Sequence, residues 1–136
     1  EKSSQPLSNL RVLVADDDPD IRRFLEVALR KAGAKITVAE DGQAAIDAFT
    51  AHGPAPAFDV ILLDLEMPRR TGYEALTALR AGGFTGPLIA LSAHGAAADG
   101  PRCLAAGFTA YVEKPVERQT LIESVRRYAP THTSQG

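Results

Sequence analysis

The chain is poor in the residues that build stapled, metal-clustered or membrane-spanning proteins. It has no tryptophan and a single cysteine, Cys103. One thiol excludes an intrachain disulfide and any zinc site made from several cysteines. Cys103 reads as a small core residue, and an intracellular setting is compatible with it. No apolar run approaches the roughly 20 residues needed to cross a bilayer. The first residues show neither the basic nor the apolar stretch of a signal peptide. There is no basic block, and the formal net charge is −2. Direct contact with nucleic acid therefore has no electrostatic support, and no membrane contact is expected of this domain. His52, His94 and His132 are scattered without metal-ligand spacing and read as structural or solvated. Residues 1–9 and 130–136 are polar and aperiodic and read as flexible linkers. Between them, residues 10–129 are long enough for one domain with one core.

What the chain does have is alternation. Leu10–Ala15 is a short apolar run that suits a buried strand, and Pro19 suits the first turn of a helix. Ile21, Phe24, Leu25, Ala28 and Leu29 then recur at helical spacing up to Gly33. Lys35–Ala39 is a second strand, Asp41-Gly42 a turn, and Ala44–Ala51 a helix. "HGPAPA" is a loop before the strongest strand, "FDVILL". A helix at Tyr73–Ala81, a strand at Leu88–Leu91, a strand at Ala110–Val112 and a helix at Val116–Tyr128 complete the pattern. Between the last two strands, Gly95 and Gly100 each cost about 1 kcal/mol in a helix interior. Pro101 is comfortable only in a first turn. Regular helix is therefore expected no earlier than Asp99, acting as N-cap, with residues 94–98 an irregular loop. Alternating strands and helices imply a parallel sheet covered on both faces, with ligands at the carboxyl ends of the strands.

Those ends carry chemistry. Asp16 and Asp17 follow the first strand, Asp64 the third, Ser92-Ala93 the fourth and Lys114-Pro115 the fifth. Adjacent carboxylates repel, and more so beside an apolar core. A hard divalent cation such as Mg²⁺ between Asp16, Asp17 and Asp64 removes that conflict. Asp18, just before Pro19, suits an N-cap instead. Taken singly, each of these residues has a plain alternative: a solvated loop, a strand-end cap or a surface lysine. Pro115 biases Lys114 toward extended backbone. Their joint placement favours a site.

The segments "VLVADDDP", "DVILLDLEMP", "GYEAL", "LIALSA", "CLAAGFTAYVEKP" and "LIESV", in this order and spacing, resemble the receiver domains of two-component response regulators. "GPLIALSAH" and "RCLAAGFTAYVEKP" are most similar to receivers attached to hybrid histidine kinases. The resemblance implies a flavodoxin-like doubly wound α/β fold, a five-stranded parallel sheet in a three-layer α/β/α sandwich. It implies phosphoryl transfer from a phosphohistidine to Asp64, with the receiver catalysing its own phosphorylation and dephosphorylation. Asp17 and Asp64 would ligate Mg²⁺ directly, Asp16 through water, and Glu66 by its backbone carbonyl. Ser92 and Lys114 would contact the phosphoryl group, Tyr111 would be the aromatic switch, and the Lys114–Pro115 bond would be cis. The implied partner is a histidine kinase or histidine phosphotransfer protein, the setting cytoplasmic, and the assembly a monomer or weak dimer.

Two departures from the family pattern stand out: Arg69-Arg70 after Met67-Pro68, and Glu66 two residues past the acceptor. The arginines could adjust partner choice or simply be solvated; Glu66 puts the phosphoryl lifetime in question. Two other readings remain. One is a pseudo-receiver that only binds partners, against which the intact acidic set argues. The other is a small Mg²⁺-dependent phosphohydrolase resembling the haloacid dehalogenases. Asp64-Leu65-Glu66 lacks their D-x-D motif, and no segment could form their cap.

Overall fold

The computed structural model describes residues 6–51 and 58–129. Five strands, β1 (Arg11–Ala15), β2 (Lys35–Ala39), β3 (Val60–Asp64), β4 (Leu88–Ser92) and β5 (Ala110–Glu113), alternate with five helices. The helices are α1 (Pro19–Lys31), α2 (Gly42–Ala51), α3 (Gly72–Ala81), α4 (Gly95–Ala106) and α5 (Arg118–Tyr128). The strands form one parallel sheet in the order β2-β1-β3-β4-β5. The chain steps one way from β1 to β2, then the other way from β3 onward. With crossovers of one hand, that reversal sends helices to opposite faces. The expected flavodoxin-like fold is the one observed.

Side-chain alternation along the strands builds two cores. Val12, Val14, Val60, Leu62, Ile89 and Leu91 pack with α1 and α5. Leu13, Ala15, Ile61, Leu63, Leu88 and Ala90 pack with α2, α3 and α4. Central strands β3 and β4 are buried at every position. That is why their sequences are continuous apolar runs rather than alternating ones. Each such leucine or isoleucine contributes about 1.5–3 kcal/mol on burial, so the sheet centre is the rigid floor under the strand ends.

Local signals mark the helix starts. Asp18 caps α1, its Oδ1 accepting from the Asp20 and Ile21 amides at 2.9 and 3.4 Å. Thr71 and Glu74 form a reciprocal capping box at α3. The T-x-x-E spacing announces such a box in the sequence. Observed bounds of α2 and α5 differ by two residues from the periodicity, as helix ends commonly do. "HGPAPA" lies outside the described residues.

Two expectations are corrected. Residues 6–9 are not linker: Leu7 is fully buried in the α1/α5 core. Its amide donates to the Ala32 carbonyl at 2.9 Å, and the Asn9 amide to Gly33 at 3.3 Å. A single leucine in a polar stretch shows no period, yet it seals the end of that core.

The second correction is α4, which runs unbroken from Gly95 through Ala106 with Pro101 inside it. Residues 94–98 are not an irregular loop, and Asp99 is not the N-cap. The cause is tertiary. Ser92 Oγ, reaching from β4, accepts from the Gly95 amide at 3.1 Å and donates to the Asp99 carboxylate at 2.6 Å. One buried hydroxyl thus caps the first turn and ties down the second. Gly100 allows close approach: a Cβ there would lie 3.0–3.1 Å from the Tyr111 ring and hydroxyl, so the tyrosine would have to give by a few tenths of an ångström.

Candidate functional site

Asp16 follows β1 and Asp64 ends β3, the two neighbouring strands at which the chain reverses direction along the sheet. Their carboxyl ends therefore open the crevice where ligands bind in this architecture. Asp16 is wholly buried. Its Oδ1 accepts from the Asp18 amide at 2.9 Å, and its carbonyl accepts from Arg22 Nη1 at 2.8 Å. Asp64 Oδ1 accepts from the Glu66 amide at 3.3 Å. Gly72 opens α3 hard against this strand end: a Cβ there would stand 2.5 Å from the Asp64 carbonyl oxygen. Only glycine allows the helix to start so close to the site.

Lys114 Nζ stands 3.0 Å from Asp16 Oδ2 and 3.2 Å from Asp64 Oδ2. The Lys114 amide donates to the Ser92 carbonyl at 2.7 Å, tying the end of β5 to the end of β4. The Lys114–Pro115 peptide is cis. Burial and the neighbouring Asp16 charge push the Asp64 carboxyl up to about 7, against the opposing pull of Lys114 and the Glu66 amide. Burial acts to lower the Lys114 pKa, but hydrogen bonding and attraction to Asp16 and Asp64 outweigh it and raise it.

One oxygen from each of Asp16, Asp17 and Asp64 lies within 4.8 Å of the others. Asp16 Oδ2 is buried, with the Lys114 ammonium at 3.0 Å as its counter-charge. Three carboxyl groups share that one ammonium, which leaves room for a further positive charge to offset their repulsion. The set consists of hard oxygens, with exposed Asp17 on the open side. That donor chemistry fits a hard divalent cation of the Mg²⁺ kind.

All five positions singled out at the strand ends gather at this edge: Asp16, Asp17, Asp64, Ser92 and Lys114. Tyr111 lies half-buried on β5, its ring against Gly100 of α4. The Glu66 side chain is exposed and pairs with His94 Nε2 at 2.8 Å. Hydrogen bonding and attraction to Glu66 raise the His94 pKa. Arg69, with a positive φ of 67°, grips Asp41 through Nε at 2.8 Å and Nη2 at 3.1 Å. Arg70 Nε donates to Gln43 at 3.0 Å. Both arginines thus strap the β3–α3 loop onto the start of α2.

Sequence reasoning missed three of these partners: Asp99 for Ser92, His94 for Glu66, and Asp41 for Arg69. None carried a sequence signal: Ser92 ends β4 while Asp99 lies on α4, so no single periodicity relates the two.

Comparison with known proteins agrees with this geometry. The family model "Response regulator receiver domain" matches residues 12–126. The chain belongs to that family, the receiver domains of two-component signalling. It is 29% identical to Histidine kinase 1 of Arabidopsis thaliana over 91% of its own length and 13% of that protein's. It is 34% identical to Hybrid signal transduction histidine kinase I of Dictyostelium discoideum, covering 92% of this chain and 8% of that one. The chain thus spans a small fraction of these relatives. Among solved structures, it superimposes with a TM-score of 0.77 and 31% identity on the receiver domain of the sensor histidine kinase PA1611 from Pseudomonas aeruginosa PAO1. That match covers 89% of this chain and 98% of that one, which carries a magnesium ion coordinated in its active site cleft. Among the described residues, no helix is long and apolar enough to cross a membrane.

Proposed function

We propose that this receiver takes a phosphoryl group from the phosphohistidine of a histidine kinase or phosphotransfer protein onto Asp64. The observation that carries the reading is the convergence of Asp64 with two further carboxylates and the Lys114 ammonium at the edge of the sheet. An Asp64 oxygen attacks phosphorus in line with the P–N bond. The P–O bond forms as the P–N bond breaks, and the electron pair of the broken bond stays on the imidazole nitrogen. Transfer of this kind needs positioning and charge neutralisation more than covalent help.

The chain supplies both. Its carboxyl raised to about 7, Asp64 relies on the adjacent cation, Lys114, to stay ionised as a nucleophile. The same ammonium can follow the negative charge from carboxylate to phosphoryl oxygen. Ser92 and the Ala93 amide are the neutral donors on the β4 side. Asp16, Asp17 and Asp64, with the Glu66 backbone carbonyl, are the residues that would hold Mg²⁺. Bound there, Mg²⁺ would neutralise charge on the transferring group. Tyr111 is the switch position, reached through α4. The similarity to kinase-attached receivers supports a cytoplasmic module working within or beside a larger sensor kinase.

The test is incubation with Mg²⁺ and either acetyl phosphate or a phosphorylated phosphotransfer protein, read by intact mass. One phosphoryl group should add to the wild type and none to Asp64→Asn. An Asp64→Asn protein that is phosphorylated as fully as wild type sinks the assignment.

A further inference from the structure

We propose that Asp99 is a positioning residue for Ser92. Its carboxylate holds the Ser92 hydroxyl in the unphosphorylated protein, so a phosphoryl group on Asp64 must win that hydroxyl from Asp99 before Ser92 can donate to it. The inference rests on Asp64 being the phosphoacceptor.

A serine hydroxyl has one proton to give. Here it goes to Asp99 Oδ2 at 2.6 Å, the short separation of a hydroxyl bonded to a carboxylate. The Gly95 amide occupies the oxygen's accepting side at 3.1 Å. Ser92 is wholly buried and Asp99 is 8% exposed, so water does not readily replace either partner. Among the described residues, Ser92 is the one hydrogen-bond partner of the Asp99 carboxylate. Taking the hydroxyl away strands a buried carboxylate, which is unfavourable unless the carboxylate moves.

The structure offers it a way out. Asp99 also lines a surface cavity with Tyr73 and Arg102, and the Arg102 guanidinium stands 4.5 Å over the Tyr73 ring. A turn of α4 toward that cavity exchanges the serine for solvent and a nearby cation. Gly100, the next residue, lies against the Tyr111 ring, so the same turn disturbs Tyr111. Asp99 thereby sets the threshold that a phosphoryl group must cross before the α4–β5 side of the domain responds.

Titration with beryllofluoride and Mg²⁺, a phosphoryl mimic, followed by NMR, tests this in four proteins: wild type, Asp99→Asn, Ser92→Ala and the double variant. Asparagine has the shape of aspartate and remains a neutral acceptor, so the helix keeps its tie. Because a neutral acceptor holds the hydroxyl less tightly, Asp99→Asn should bind the mimic roughly fivefold more tightly than wild type. That gain should vanish in the Ser92→Ala background. An equal gain in both backgrounds means that only the loss of negative charge mattered and overturns the proposal. No gain in either background overturns it too. A folded wild type that takes up no beryllofluoride overturns the phosphoacceptor reading, and this one with it; in the other two outcomes the phosphoacceptor reading stands.

Discussion

At the scale of single residues, the site is a balance of like charges held together by one ammonium. Asp16 and Asp64 both lean on Lys114, and their mutual repulsion is what leaves room for a cation. At the rim, a second pair stands in the open. Glu66, whose position two residues past the acceptor drew attention in the sequence, spends its carboxylate on His94. His94 should lose its raised pKa when that partner loses its charge. In Glu66→Gln, an NMR pH titration of the imidazole should move down toward the ordinary histidine value near about 6.5. An unchanged midpoint would mean that other neighbours, such as Asp99, hold the imidazole. The strand-end residues were legible because they stand at or just past the ends of apolar runs. The partners Asp99, His94 and Asp41 were not, since they meet Ser92, Glu66 and Arg69 only after the chain has folded back.

At the scale of elements, α4 shows local propensity overruled. Two glycines and a proline argue against a helix from Gly95, yet it forms. Its first turns are anchored from outside by the Ser92 hydroxyl, and its second glycine packs closely against the Tyr111 ring. Propensity is a weak prior where packing supplies such anchors. Pro101 remains a local defect, because it offers no N–H to the carbonyl one turn back. Replacing it with alanine should restore that hydrogen bond. Pro101→Ala should raise stability by about 1–3 kcal/mol in chemical denaturation and slow amide exchange across α4. A less stable variant would show that the proline supports the helix in a way its missing donor does not suggest.

At the scale of the whole molecule, the site weakens the fold that carries it. Asp64 has a folded pKa raised from 3.8 to about 7, so between those values the folded protein holds more protons than the unfolded chain. Stability linked to this group is fully present below about pH 4 and is lost as pH rises through about 7. In the presence of a chelator, the melting temperature of wild type should therefore fall across that window because of this group. Asp64→Asn should flatten the fall and be the more stable protein at pH 8. Adding Mg²⁺ should raise the wild-type melting temperature at pH 8 and leave the variant nearly unmoved, because a ligand stabilises the state that binds it. Equal pH profiles for the two proteins would contradict the raised pKa.

The amino-acid sequence by itself determined the order of strands and helices, the two-sided burial of β3 and β4, and which residues stand at the strand ends. These follow from periodicity and from where apolar runs stop, both local properties of the chain. It also carried the cap at Asp18, because a cap and its helix are neighbours in sequence. Only the tertiary structure decided that Leu7 belongs to the core, that α4 begins at Gly95, and that Asp41 and Arg69 clasp two loops beside the site. Each of these depends on a partner distant along the chain, brought close by the packing of helices on the sheet. Lys114 belongs to both. Its place after β5 can be read from the sequence, but its position within 3.2 Å of two carboxylates on other strands exists only once parallel strands have aligned their ends.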